Sequence, residues 1–173
     1  MGRGLRDDLR PALILGSMLT TRTASLADAS LIATHRYRMF AEMGQNDEAS
    51  LAAMQARFLP WVERMIAREK YVGWIVVDDG KPAASAGFFE LDWAPHPLDP
   101  DAEHRGYLLN FWVEPFYRGR GIARQLVHHG LAESRRRGLR VTALHASPAG
   151  RRVYATEGFE MTSEMFHIAR ADR

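Results

Sequence analysis

The residues best suited to chemistry form a glycine- and arginine-rich segment in the second half of the chain. Residues 113–124 read VEPFYRGRGIAR, after an apolar run that predicts a buried strand and before a pattern that predicts a helix. The first turn of a helix has free N–H groups and the positive end of the dipole. Glycines there let an anion approach the backbone without a Cβ in the way. We therefore predict a phosphate or pyrophosphate site, the phosphate loop, formed by Arg118, Gly119, Arg120, Gly121, Ile122, Ala123 and Arg124. The alternative is a helix start with a flexible turn.

Two common phosphate motifs do not fit this loop. The loop of nucleoside triphosphatases requires Gly-Lys-Ser/Thr, which the sequence lacks. The dinucleotide-binding pattern requires a third glycine, but Arg124 occupies that position. It also requires an acidic residue about 20 residues further on, where Arg140 and Thr142 stand.

Length and composition describe the protein that must position this loop. The chain has 173 residues, 46% hydrophobic and 25% charged, with a net charge of +2, as expected for one globular domain. It has no cysteine, which excludes disulfides, thiolate metal sites and a cysteine nucleophile. No apolar run approaches the roughly 20 residues that cross a bilayer. We expect a cytoplasmic protein with no membrane partner, divided into an N-terminal extension (1–17) and a single domain (18–173).

Hydrophobic periodicity predicts the element order β-α-α-β-β-β-α-β-α-β. The expected fold class is α+β, a mixed, mostly antiparallel sheet flanked by helices. At Pro60 the second helix is expected either to kink or to divide into two shorter helices. The predicted strands are 19–23, 72–77, 83–93, 107–113 and 139–146, with one or two more over 159–168. The first predicted helix begins at Ser25 or Asp28 and ends near Met43, and the others cover 48–70, 118–138 and 149–157. A long loop is predicted over 94–106.

Three segments in the second half of the sequence resemble segments of the GNAT N-acetyltransferases. RGRGIA at 118–123 fits the family's R-x-x-G-x-G/A signature, and Val113-Glu114-Pro115 sits where the family's fourth strand ends. RRVYATEGF at 151–159 resembles the family's Leu-Tyr-x-x-x-Gly-Phe segment. The resemblance is strong over 107–168, follows by pattern over 19–106, and does not extend to 1–17.

The resemblance implies acetyl-CoA as cosubstrate. In the family the loop amides hold the pyrophosphate, and the pantetheine arm lies where the fourth strand splays from the fifth at a bulge. Phe111, Trp112 and Val113 would then lie along the pantetheine and thioester, and a backbone amide of this strand would polarise the thioester carbonyl. Ser147 would replace the asparagine that many relatives place after the fifth strand.

The resemblance also implies catalytic roles. Tyr154 matches the tyrosine that protonates the departing thiolate in many relatives; the alternative is a core tyrosine. Several relatives place a glutamate as base where Tyr107 stands here, so the base stays open among Tyr107, Glu90, Asp92, Asn110 and His145. Transfer is expected to be direct, within a ternary complex. No metal site is expected.

The acceptor is expected to be a small-molecule or peptide amine. Relatives build its groove from the first two helices and the loop here at 94–106, so Met39, Phe40 and Met43 could line it rather than belong to the core. Loop residues Trp93, His96 and Asp99 are further candidates. A protein or aminoacyl-tRNA amine, a non-catalytic acyl-CoA-binding module and a nucleic-acid-binding module stay as alternatives. Nucleic acid is not expected, because the arginines at 135–137 and 140 lie far from the loop. Relatives are often dimers, which leaves a homodimer open.

Overall fold

The computed structural model of the chain describes residues 19–44 and 47–162. The predicted extension over 1–17 lies outside these residues. The strands are β1 (Leu19–Thr23), β2 (Tyr71–Asp78), β3 (Lys81–Asp92), β4 (His104–Val113) and β5 (Thr142–Leu144), and the α-helices are α1 (Ala29–Glu42), α2 (Glu48–Ala67), α3 (Ile122–Arg136) and α4 (Arg151–Thr156). Short 3₁₀ turns precede α1 (Leu26–Asp28) and follow β4 (Pro115–Tyr117).

The five strands form one sheet in the order β1-β2-β3-β4-β5. The first four are antiparallel to their neighbours, and β5 runs parallel to β4. Asp79 and Gly80 make the turn between β2 and β3, both with the positive φ that tight hairpins require. The expected mixed, mostly antiparallel sheet with flanking helices is thus confirmed.

Helices cover both faces of the sheet. On one face α1 and α2 pack against β2 through a buried cluster that includes Ile32, Val62 and Ile75. On the other face α3 packs through Leu126 against Phe88 and Leu108. The apolar stripes read from the sequence are therefore the surfaces that hold the layers together, and the ends of β4 and β5 lie between them.

Helix α2 runs as one helix from Glu48 to Ala67 with Pro60 inside it, so the two shorter helices, the alternative to a kink, are not formed. A proline inside a helix removes one hydrogen bond, to the carbonyl four residues earlier. Here Pro60 and Ala56 are both exposed, so water can donate a hydrogen bond to the Ala56 carbonyl. Burial of Phe58 and Val62 on the opposite face stabilises the helix on either side of the proline.

Other boundaries differ from the predictions. Helix α3 begins at Ile122 rather than 118, because Gly121 has a left-handed φ of 79° that a helix cannot contain. Strand β4 begins at His104 rather than 107, which shortens the predicted loop. Strand β5 has three residues, not eight. Residues 159–162 form no strand, and the rest of the predicted final strand lies outside the described residues.

Candidate active site

A bulge in β4 opens the sheet beside β5. Ser85 pairs with Trp112 and Gly87 pairs with Leu109, so two residues of β4, at 110 and 111, oppose one residue of β3. Such a bulge bends its strand away from the regular ladder. Beyond the bulge β4 and β5 no longer pair, since their ladder is limited to 106–108 against 142–144. The two strands diverge where the resemblance expects the pantetheine arm.

Asn110 holds this bulge in place. Its φ of +56° is a conformation that asparagine tolerates better than most other residues with a side chain. The buried side-chain amide donates from Nδ2 to the Tyr71 hydroxyl at 3.2 Å and accepts at Oδ1 from Arg36 Nη1 at 2.7 Å. An amide is not basic at neutral pH, so this geometry favours a structural role for Asn110 over the role of base.

A cavity of about 590 Å³ opens at the bulge. Its walls come from α1, α2, β3, β4 and the segment after β5, and most of its lining is apolar. It is lined by Arg36, Met39, Phe40, Met43, Phe58, Trp61, Phe89, Tyr107, Leu108, Leu109, Asn110, Phe111, His145, Ser147 and Tyr154. Met39 and Phe40 of α1, and Met43 directly after it, therefore face this cavity as the sequence suggested.

The loop after β3 does not line this cavity. His96 stacks on Trp93 with ring centroids 4.6 Å apart, and the Asp99 carboxylate lies 3.6 Å from Arg140. None of these three candidate acceptor contacts is among the cavity residues.

Two of the candidate bases meet in the cavity wall. The Tyr107 hydroxyl is hydrogen-bonded to Nδ1 of His145, and both residues line the cavity. Tyr107 projects from β4, and His145 directly follows β5. The pair joins a phenol and an imidazole, which is an arrangement that can accept and pass on a proton.

The two acidic candidates lie elsewhere. Glu90 lies 3.5 Å from Arg137 and 3.7 Å from His104, and it faces a separate surface cavity. The carboxylate of Asp92 is fully exposed, 3.3 Å from His104. Neither residue lines the cavity at the bulge, so the geometry does not support either one as the base.

Tyr154 stands on the α4 side of the cavity. Its ring packs edge-on against Phe111 and Phe159, with centroids 5.7 and 6.0 Å away. Burial raises the pKa of Tyr154 to about 12, so the phenol keeps its proton at neutral pH. A Cβ at Gly150 would lie 2.7 Å from this ring, so the glycine makes room for it. Ser147, also in the lining, accepts a hydrogen bond from the Gly150 N–H at 3.1 Å.

The phosphate loop presents free backbone donors. Gly119 and Gly121 adopt φ values of +74° and +79°, which side-chain-bearing residues rarely adopt. Within the described part of the chain, no hydrogen-bond acceptor is found for the backbone N–H groups of residues 119–124. A row of unpaired N–H groups at the start of α3 fits an anionic group such as a pyrophosphate.

Two of the three arginines of the phosphate loop are paired with carboxylates. Arg118 donates two hydrogen bonds to the Glu42 carboxylate, at 2.9 and 2.7 Å. Arg124 Nε lies 2.5 Å from a carboxylate oxygen of Glu157. Arg120 instead donates to the Phe116 carbonyl and lies over the Phe116 ring. Arg120 is therefore the side chain of this set best placed to contact a bound anion.

The apolar cofactor candidates of β4 also divide. Phe111 lines the cavity, whereas Trp112 and Val113 do not. The buried Trp112 ring lies under the Arg118 guanidinium on the α1 face. The Val113 carbonyl accepts from Arg118 Nε at 3.0 Å. Alternation along the strand puts Trp112 on the face opposite to Phe111.

A polar cluster behind the bulge was not anticipated. His35 Nδ1 is 2.7 Å from the Ser85 hydroxyl, and its Nε2 is 3.4 Å from Glu114. Arg38 Nη1 lies 2.6 Å from the same Glu114 oxygen. Burial lowers the pKa of His35 to about 4, although Glu114 opposes the change, so the imidazole is neutral at pH 7.

Several further residues of the cavity lining were not predicted from the sequence. Arg36 was overlooked although it lies four residues after Ile32 and three before Met39, which places it on the same helical stripe. Phe58, Trp61 and Phe89 line the cavity too.

Neither a metal cluster nor a membrane span is found in the described residues. Within residues 19–44 and 47–162, no group of three His, Cys, Asp or Glu side chains could hold a metal ion. None of the described helices is long and apolar enough to cross a bilayer.

Comparison with known proteins finds a family and several solved structures that are similar to this chain. The sequence profile of the acetyltransferase (GNAT) family matches residues 33–159. A GCN5-related N-acetyltransferase from Ralstonia eutropha JMP134 is 37% identical, with a TM-score of 0.85 over 88% of this chain and 99% of that chain. A protein described as a predicted acetyltransferase from Clostridium acetobutylicum, solved with acetyl-CoA, is 27% identical, with a TM-score of 0.78 over 88% of this chain and 96% of that chain.

More distant structures share the fold alone. An aminoglycoside N-acetyltransferase solved with CoA is 20% identical, with a TM-score of 0.64 over 90% of this chain and 96% of that chain. No curated protein matches the chain.

Proposed function

The chain belongs to the acetyltransferase (GNAT) family, and from that membership we propose that it transfers an acetyl group from acetyl-CoA to a primary amine by direct attack within a ternary complex. One observation carries the proposal. The cavity at the β4 bulge brings Tyr154 and the Tyr107–His145 pair to one opening between diverging strands. An acid and a base are thus available at the place where the family binds its thioester.

The residues present fit acetyl-CoA. The free N–H groups of residues 119–124, with Arg120 beside them, suit the pyrophosphate. Phe111, Ser147 and Tyr154 line the gap available to the pantetheine arm. When bound, acetyl-CoA supplies the acetyl group as an activated thioester. The Clostridium acetobutylicum structure with acetyl-CoA supports this assignment.

Tyr154 acts as the general acid in this proposal. Its phenol oxygen holds a proton at neutral pH because burial raises its pKa to about 12. A donor in the cavity wall can pass that proton to the sulfur as negative charge develops there, which makes CoA a better leaving group.

The Tyr107–His145 pair takes the proton from the amine. A protonated amine has no lone pair for attack, so a basic group must accept a proton before or during bond formation. Of the five candidate bases, the cavity lining includes Tyr107, His145 and Asn110. Asn110 is an amide, already bonded to Arg36 and Tyr71. The base role is therefore assigned to His145, directly or through the Tyr107 hydroxyl.

Nucleic acid is the weaker alternative. Two of the arginines at the far end of α3, Arg136 and Arg137, each lie 2.7 Å from Glu133. Arg140 lies 3.6 Å from Asp99. These carboxylates offset much of the positive charge that phosphate binding would need.

Binding and thiol release test the proposal. Calorimetric titration should detect binding of acetyl-CoA and CoA but not of NADH. In a thiol-release assay with a panel of primary amines, His145→Gln should lower kcat/KM by about 100-fold or more and leave the Kd for acetyl-CoA unchanged. His96→Gln, outside the cavity, is the matched control. Absence of binding by both CoA species, or normal turnover of His145→Gln, would contradict the proposal.

A further inference from the structure

Arg36 is a cation in the wall of the cavity. It projects from α1, and its Nη1 donates to Asn110 Oδ1 at 2.7 Å. Its guanidinium carbon lies 4.8 Å from the Phe40 ring centroid and 4.7 Å from that of Phe58. These contacts fix the guanidinium beside the residue that forms the bulge.

No carboxylate among the described residues pairs with Arg36. In the part of the chain that the structure describes, seven other arginines have a carboxylate oxygen within 4 Å: Arg22, Arg38, Arg118, Arg124, Arg136, Arg137 and Arg140. Arg36 Nε is moreover buried without a hydrogen-bond partner. Burial lowers the pKa of Arg36, and the nearby Tyr71 and Tyr107 oppose this only in part. A desolvated cation without a counter-ion is costly, and an anionic group on a ligand would remove that cost.

The remaining lining describes the rest of the ligand. Within the described residues, the cavity is lined by no aspartate or glutamate. The wall formed by α1, the residue that follows it and α2 consists of Met39, Phe40, Met43, Phe58 and Trp61. Such a wall suits an apolar or aromatic body. A polyamine or an aminosugar with several ammonium groups would find no carboxylate to pair with there.

We propose, on the basis of the proposed function, that the acetyl acceptor is an amine that also carries a carboxylate on an apolar body. An apolar or aromatic amino acid is such an amine. Arg36 binds its carboxylate. The planar guanidinium matches a carboxylate in geometry as well as charge. Because Arg36 is bonded to Asn110, it would hold the acceptor next to the divergence of β4 and β5. Arg36 is then the residue that sets acceptor specificity.

Paired acceptors give the first test. L-Phenylalanine, L-methionine, L-leucine and L-tryptophan are each compared with their carboxamides in the thiol-release assay, with spermidine as the polycationic acceptor. At least one amino acid should exceed its own amide in kcat/KM by ~10-fold or more. Spermidine should be the poorest acceptor. Amides that are as good as or better than all four amino acids would overturn the inference.

Variants of Arg36 give the second test. Arg36→Gln should lower kcat/KM for the preferred amino acid by ~10- to 100-fold while changing that for its amide less than about threefold. Arg36→Lys keeps the positive charge but lacks the planar guanidinium, so it should retain part of the preference for the amino acid over its amide. Arg57→Gln, on an exposed part of α2, is the matched control. An equal loss for both acceptors in Arg36→Gln would mean that Arg36 only supports the fold, and would overturn the inference.

Calorimetry distinguishes a failure of the carboxylate site from a failure of the proposed function. The wild type and Arg36→Gln should bind acetyl-CoA with the same Kd. In the presence of CoA, the N-acetyl amino acid should bind the wild type more tightly than the variant. If the wild type binds acetyl-CoA and acetylates amines without any carboxylate preference, the inference fails and the proposed function stands. If it neither binds acetyl-CoA nor releases thiol with any amine, the proposed function fails first.

Discussion

Arg118 and Glu42, 76 residues apart in the chain, form a two-point ion pair between the phosphate loop and the last residue of α1. The same arginine also donates to the Val113 carbonyl at the end of β4. The pair thus ties the loop to the helix that supplies Arg36 and the apolar cavity wall. Arg118 acts on the loop through this contact rather than as a free cation.

We expect Arg118→Gln and Glu42→Gln to weaken acetyl-CoA binding to a similar extent, by roughly threefold, because each breaks the same contact. The double variant should be little worse than either single one, since neighbouring residues that share an interaction are not additive. The side chains are 41% and 49% exposed, so the free energy of unfolding should change by less than about 1 kcal/mol. Calorimetry on the four proteins measures this cycle. A much larger loss in Arg118→Gln alone would assign the guanidinium directly to the anion.

Gly121→Ala should weaken acetyl-CoA binding while costing about 1 kcal/mol of stability. No atom lies within 4 Å of the added Cβ, so the stability cost comes from the φ of +79°. The binding loss comes from a methyl group placed among the N–H donors. Gly138→Ala is the control, because Gly138 has a φ of +73° and equally open surroundings at the far end of α3. Urea unfolding should show similar costs for both variants; equal affinity losses would argue against the loop as the anion site.

Tyr154→Phe should lower kcat by roughly 100-fold and leave the Kd for acetyl-CoA unchanged. Because burial raises the pKa of Tyr154 to about 12, the acid stays protonated throughout the usual assay range. The kcat of the wild type should therefore show no fall between pH 8 and 10 attributable to this phenol. Stopped-flow or steady-state thiol release over that range provides the measurement. Tyr37→Phe, whose hydroxyl contacts Glu48 on α2, is the control, and normal turnover of Tyr154→Phe would remove the acid role.

Stability should fall in mild acid because of His35. Burial lowers the pKa of His35 to about 4 in the folded protein, whereas an unfolded histidine titrates near 6.5. The unfolded state thus binds the proton first, and the stability contributed above pH 6.5 is lost as the pH falls towards 4. The shift corresponds to roughly 3 kcal/mol. Urea unfolding at pH 7.0, 5.5 and 4.5 measures this loss, which His35→Gln should reduce and His96→Gln should not. An unchanged pH dependence in His35→Gln would contradict the assignment.

The fold was predictable from the sequence because its signals are local. The apolar stripes of α1 and α2 and the buried run of β4 each depend on neighbouring residues, and the structure bears them out. The boundaries that differ depend on other segments. Strand β5 ends at Leu144 because β4 leaves it there, and no local pattern encodes that divergence.

The candidate site was predictable only in part, because many of its contacts are not local in the sequence. The loop glycines and Tyr154 carry family motifs, so their positions follow from the sequence. Other features of the site depend on residues far apart in the chain. These are the ion pairs of Arg118 and Arg124 with their carboxylates and the contact between Tyr107 and His145. The polar residue inside an otherwise apolar strand, Asn110, was the one local sign of the bulge.

The strand order described above also has a consequence for folding kinetics. Strands β2, β3 and β4 are consecutive in the chain and pair as neighbours with no α-helix between them, whereas β1 pairs with β2 across α1 and α2. Strand β5 likewise reaches β4 only across α3, and α4 follows β5. Because local contacts form at lower entropic cost, we expect substitutions in β2 and β3 mainly to slow folding and those in α4 mainly to speed unfolding. The chain would thus complete its core before it closes the cleft in which it works.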